Sequence, residues 1–136
     1  MESKEQWVIW EPLGNLRGNY YIERVTHGYH GGFQAIIGDH KNNLEKIYIN
    51  FRGTVRCYRE TCKTYNNLIQ QDFLRHESCF YKILNSKYIR WLSDISDGIS
   101  SYMESSMQHF VICGEKSTLE IVSRFEPEIT FIDKES

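Results

Sequence analysis

The sequence predicts an α+β domain: a mainly antiparallel sheet of about six to seven strands with two helices packed on one face. Three observations predict it. Apolar residues alternate at Phe33, Ala35 and Ile37 and again at Ile47, Ile49 and Phe51, as in strands with one buried face. A helical spacing follows Ser86, where Tyr88, Trp91, Leu92, Ile95 and Ile99 recur along one stripe. Strands and helices do not alternate regularly, so no βαβ units are available to build a parallel sheet.

The elements follow in order. Trp7-Val-Ile-Trp10 is short and apolar, closed by Glu11-Pro12, and reads as a strand or an extended arm whose tryptophans need burial. Asn19 to His27 carries Tyr20, Tyr21, Ile22 and Val25 and makes the first long strand. Gly28, Gly31 and Gly32 punctuate the chain before the Phe33 strand, so a hairpin is expected, and polar residues 39–43 turn the chain into the Ile47 strand. Thr54 to Arg59 alternates with Val55, Cys57 and Arg59 on one side, as a short fourth strand or an irregular loop. Asn66 to His76 predicts a short helix from the spacing of Leu68, Ile69, Phe73 and Leu74. Cys79 to Leu84 is an apolar strand of central type. Ser86 is the expected N-cap of the second helix, which ends near Gly98. Three runs, His109 to Gly114, Thr118 to Phe125 and Ile129 to Ile132, predict a closing β-meander.

No repeat, linker or low-complexity segment divides the 136 residues, so residues 1–136 are one domain, with 1–6 and 133–136 as flexible ends. At this length a core can form without disulfides or metals. The formal charge of -2 argues against a direct nucleic-acid binder, and no apolar run approaches a membrane span. The N-terminus lacks the pattern of a signal peptide, which implies a cytoplasmic protein with its four cysteines reduced. Cys57 and Cys62 stand at C-x4-C spacing, with no second close pair to complete a zinc site, and Cys79 and Cys113 lie in apolar runs as core residues. No metal and no cofactor is expected.

Motifs of common hydrolases, kinases and nucleotide-binding folds are absent. His27 and His30 fall in a turn without further ligands, and the carboxylates are scattered along the chain. The unusual stretch is Arg52 to Lys63. Arg52, Arg56, Arg59 and Lys63, with Tyr58 and Tyr65, could grip an anionic ligand or partner, because arginine forks match carboxylates and phosphates and Arg/Tyr surfaces are typical of interface hot spots. The plainer alternative is a strand edge protected by its charge. Trp7, Trp10 and Trp91 are expected to anchor the core. Glu126, Glu128, Asp133 and Glu135 could face a basic partner.

Trp7-x-x-Trp10-Glu-Pro-Leu, Ser86-Lys-Tyr-Ile-Arg-Trp91-Leu and Phe125-Glu-Pro-Glu-Ile129 together resemble small bacterial proteins of toxin-immunity loci, over most of the chain. The resemblance implies a cytosolic protein without enzymatic activity, whose partner is a cognate protein toxin that it neutralises by covering the toxin's active site. An anionic, phosphate-bearing small molecule bound by the same arginines is the alternative. A small nuclease using His27 or His30 with Glu60 is the third reading.

Overall fold

The computed structural model describes residues 4–10, 20–28, 32–39, 42–52, 55–62, 79–95 and 106–133. Among them are nine strands, β1 (Gln6–Ile9), β2 (Tyr20–Gly28), β3 (Gly32–Asp39), β4 (Asn42–Phe51), β5 (Val55–Cys62), β6 (Phe80–Leu84), β7 (Gln108–Cys113), β8 (Ser117–Ser123) and β9 (Glu128–Asp133), and one helix, α1 (Lys87–Ile95). The strands form two antiparallel sheets, five strands in the order β1-β6-β7-β8-β5 and four in the order β2-β3-β4-β9.

This corrects the α+β expectation: the described chain is mostly β, with two sheets instead of one and a single helix instead of two. The reason lies in what covers the apolar faces. Phe33, Ala35 and Ile37 of β3 and Ile47, Ile49 and Phe51 of β4 form one buried cluster with Phe80 of β6, Phe110 and Ile112 of β7, and Leu119 and Ile121 of β8. Sheet therefore covers sheet, and no helix is needed on that side. The expected helix at 66–76 lies outside the described residues.

Aromatic rings tie the layers together. Trp10 meets Phe80 and Phe110 at centroid distances of 5.6 and 4.9 Å, Phe110 meets Phe51 at 5.5 Å, and Phe51 meets Phe33 at 5.9 Å. Edge-to-face and tilted packing of this kind adds to the area buried. Cys79 is buried beside this core, and burial pushes its thiol up to about 12, so it behaves as a hydrophobe.

Strands β7 and β8 are buried on both faces, which makes the five-stranded sheet the middle layer. On its far side α1 sets Tyr88 and Ile89, with half-buried Leu92, against Met107, Val122 and Cys57. The stripe expected along α1 is thus shifted: Trp91 and Ile95 are 51% and 58% exposed instead of buried, and Trp91 is no core anchor. The C-terminal run is no simple meander either. β7 and β8 pair with each other, but β9 crosses to the other sheet and pairs with β4, from Glu45↔Asp133 to Asn50↔Glu128.

The expected strand at 54–59 is β5, an edge strand, with a register shift between Val55 and Cys57. The extra residue reverses the alternation. Val55 packs against the inter-sheet core, while Cys57 joins the cluster under α1. Gln6 opens β1 and Asp133 closes β9, so both expected ends include strand residues.

Candidate functional site

A chain of polar side chains runs through the layer between the five-stranded sheet and α1. His109 and Glu120 sit on neighbouring strands, His109 paired with Val122 and Glu120 with Val111, and both side chains are nearly fully buried. Burying a carboxylate costs several kcal/mol unless it is paired, and here both oxygens accept from a partner. Arg59 on β5 lies directly across from Glu120 and grips it side-on, Nε to Oε2 at 2.7 Å and Nη2 to Oε1 at 3.0 Å. His109 Nε2 reaches Oε1 at 2.9 Å. Burial alone would raise the Glu120 carboxyl; the hydrogen bonds from His109 and Arg59 outweigh it and hold the group at about 2.

An ionised carboxylate only accepts, so Nε2 of His109 must be the donor, and in the neutral ring Nδ1 is then the acceptor. Ser86 Oγ lies 2.7 Å from Nδ1 and donates to it. The same oxygen accepts the Ile89 N–H at 3.1 Å, which makes Ser86 the N-cap of α1 as the sequence predicts. Asn85, at φ 56°, turns the chain from β6 into that cap, a left-handed conformation that asparagine tolerates. Glu5 adds a carboxylate on the Lys87 N–H at 2.8 Å, favourable at a helix N-terminus.

Tyr88 closes the arrangement. Its ring lies 4.1 Å beneath the Arg59 guanidinium and edge-on to His109 at 5.4 Å. Burial, then a hydrogen bond to Cys57, raises the Tyr88 hydroxyl well above its ordinary value, and burial likewise raises the Cys57 thiol. Both stay neutral.

The order hydroxyl, imidazole, carboxylate is that of a nucleophile relay. Two features set it apart. Arg59 already balances the charge of Glu120, so an imidazolium at His109 would meet a neutralised pair. Ser86 Oγ is also tied to the first turn of α1. The arrangement is chemically a clamp: charge-assisted bonds to Glu120 join β5, β8 and β7, and the neutral Ser86–His109 bond ties them to the start of α1.

The sequence-derived binding residues are distributed around this clamp. Arg59 is part of it, half-exposed. Tyr58 points to the other side of β5, 41% exposed, where it packs on Phe33 at 4.7 Å and His27 at 5.7 Å. Arg52 is 82% exposed and pairs with Glu128 at 2.6 Å. Arg56 lies exposed at the β5 register shift. Lys63 and Tyr65 lie outside the described residues, so the six residues are not seen as one surface. Glu126 and Glu128, read as an acidic patch, pair with Lys82 and Arg52.

Sequence reasoning missed His109, Glu120 and Ser86 as a unit. The detectable signal was local: Glu120 interrupts Leu119-Ile121-Val122, and His109 opens Phe110-Val111-Ile112, so each is a polar residue inside an apolar strand that requires a buried partner.

Beside the clamp, a cavity of about 460 Å³ is lined by residues 82–86, Ile89, Arg90 and 107–109. Among the described residues no group of three or more His, Cys, Asp or Glu could hold a metal ion, and no helix is long and apolar enough to cross a membrane. Comparison with protein-family models, curated proteins and solved structures gives no match.

Proposed function

We propose that this chain is a non-enzymatic binding protein, an immunity-like inhibitor that neutralises a cognate bacterial toxin by covering its active site. The observation that carries the reading is the exposed pair Trp91 and Ile95, one turn apart on a helix whose other side is held by the clamp. Large apolar side chains on a fixed helix bind with little loss of side-chain freedom, and tryptophan is among the residues that dominate interface energetics. The groups with chemical potential support the same reading, because Ser86, His109, Glu120 and Arg59 are bonded to one another and to the start of α1. Charged residues of β5, Arg56 and Arg59, would form the rim and steer encounter with an acidic surface of the toxin.

The test is growth rescue. Bacteria producing the cognate toxin, identified by native mass spectrometry as a stoichiometric protein adduct of this chain, are expected to grow when the wild-type chain is co-expressed. Trp91→Ala with Ile95→Ala is expected to abolish rescue while thermal unfolding stays within a few degrees, since neither side chain is buried. Full rescue by that folded double variant would remove α1 from the interface. Absence of any protein adduct and of rescue by the wild type would overturn the reading.

A further inference from the structure

Among the described residues the two sheets end in the edge strands β1, β5, β2 and β9, and three of these carry the devices that keep one edge from pairing with another. β5 holds Arg56, Arg59 and Glu60 and a register shift between Val55 and Cys57. β2 holds Glu23 and Arg24, with a register shift between Ile22 and Arg24. β9 is bounded by Glu128 and Asp133. β1, by contrast, reads Gln6-Trp-Val-Ile9, with no charge, proline or glycine and an unbroken register on β6.

The backbone of β1 is used on one side. Trp10 N–H donates to the Phe80 carbonyl at 3.2 Å. Bonded and non-bonded positions alternate along an antiparallel ladder, so Val8, like Trp10, bonds to β6, while the N–H and C=O groups of Trp7 and Ile9 point to the open side. Among the described residues no strand pairs with them there. Both faces of the edge are apolar as well. Trp7 joins Tyr81, Ile83 and Val111 on the outer face, and Trp10 joins the inter-sheet core on the other. Ile9, on the Trp7 side, is 44% exposed, and Val8, on the Trp10 side, is 37% exposed.

We propose that β1 pairs antiparallel with β1 of a second copy of this chain, about a two-fold axis at Val8, which joins the two five-stranded sheets into one. Trp7 then lies opposite Ile9 of the second copy, and Ile9 opposite its Trp7. These are the residues whose backbone groups point outward, so each open N–H meets an open C=O. The residues that meet, Gln6 to Trp10, are uncharged, so the strand opposes no like charges. Glu5, the residue before them, is held by the Lys87 N–H of its own chain at 2.8 Å. The pairing consumes the β1 edge of both copies and therefore stops at two. A strand this short buries less than the roughly 1,200 Å² of a standard stable interface, which makes the association weak and reversible. It uses neither Trp91 nor Ile95, so it goes beyond the toxin reading and does not depend on it.

Sedimentation of the full chain tests the pairing. The wild type is expected to pass from monomer to dimer with a midpoint of about 100 µM. Ile9→Pro removes an outward N–H that the β6 ladder does not use, so it is expected to dimerise at least about tenfold more weakly with thermal unfolding within a few degrees. Ile9→Lys, which puts a charge on the same exposed position, is expected to do the same. Cysteines read the register. In a Cys62→Ser background, which lacks the natural exposed thiol, Val8→Cys places two thiols at a non-hydrogen-bonded pair with Cα atoms about 4.5 Å apart, within disulfide range, and is expected to give a linked dimer on treatment with diamide. The two copies of Ile9→Cys lie on opposite sides of the axis and are expected to link at least about tenfold more slowly. A wild type that stays monomeric up to about 1 mM would overturn the proposal. So would undiminished dimerisation of folded Ile9→Pro and Ile9→Lys, or equal linking at the two cysteine positions.

Discussion

The two sheets share one core but treat their outer faces differently. On the five-stranded sheet, α1 covers Val122, Cys57 and Met107, and the polar groups beneath it are linked in series, Ser86 to His109 to Glu120 to Arg59. On the four-stranded sheet the polar groups work in local sets: Lys46 Nζ bonds Tyr21 at 3.1 Å and Glu23 at 3.0 Å, and Gln34 Nε2 bonds Asn50 at 2.7 Å. Glu23 is 42% exposed on its side chain, against 7% for Glu120. Where water reaches a face, it can replace a lost partner. Where a helix excludes water, the buried groups Ser86, His109 and Glu120 depend on one another, and the loss of one strands the next, while half-exposed Arg59 can still turn to water.

The largest effect should therefore come from breaking the covered chain at its carboxylate. Glu120→Ala leaves His109 without its acceptor and Arg59 without its counter-ion, and is expected to cost about 3 kcal/mol in urea unfolding. A cost below about 1 kcal/mol would mean that water already reaches the clamp.

Ser86→Ala removes both the helix cap and the donor to His109, for an expected loss of about 2 kcal/mol. Ser86→Gly would separate the two roles. Glycine caps at a cost of only about a few tenths of a kcal/mol, so a variant as unstable as Ser86→Ala would show that the imidazole contact carries the loss.

On the open face, Gly38 is the sensitive point. A Cβ there would lie 2.6 Å from both Cζ and the hydroxyl of Tyr21, whose ring lies across the strand. Gly38→Ala is expected to cost about 1 kcal/mol, and Tyr21→Ala in the same chain to remove that increment, measured as a double-mutant cycle. Gln34→Ala, which breaks only the Asn50 bond, is expected to cost about 0.5 kcal/mol.

Acid and alkali probe the same contrast without mutation. The folded Glu120 carboxyl lies at about 2 against an ordinary 4.5, so its contribution is complete above that ordinary value and fades as pH falls through it toward about 2. The Lys46 ammonium is raised above its ordinary 10.5, chiefly by the Tyr21 hydroxyl, so its contribution is complete below that value and fades as pH rises beyond it. Unfolding midpoints across pH are expected to lose their acid limb in Glu120→Gln and part of their alkaline limb in Lys46→Met. An unchanged acid limb in Glu120→Gln would assign that limb to other carboxylates.

Much of the local structure was legible in the residues. Alternation identified β3 and β4, and Ser86 caps α1 as its sequence position predicts. These features depend on neighbours a few residues away, so short-range spacing encodes them. The candidate site was less legible, because its residues come from β5, β7, β8 and the β6–α1 turn, and Arg59 and Glu120 are 61 positions apart. The single residue added at the β5 register shift also put Cys57 and Val55 on opposite sides, which simple alternation does not anticipate.

By itself the sequence determined the alternating strands around Phe33 and Ile47 and where α1 begins, because side-chain alternation and capping act within a few residues, while 7–10 and 54–59 stayed open between strand and arm or loop. Only the tertiary structure decided that the strands divide between two sheets, that β9 leaves its neighbour β8 to pair with β4, and that Trp91 faces outward while His109 and Glu120 lie buried. An alternating strand states that it has an apolar face, not what covers it. That choice is made by which faces best exclude water and which buried polar groups can find each other, and both are properties of the whole assembled chain.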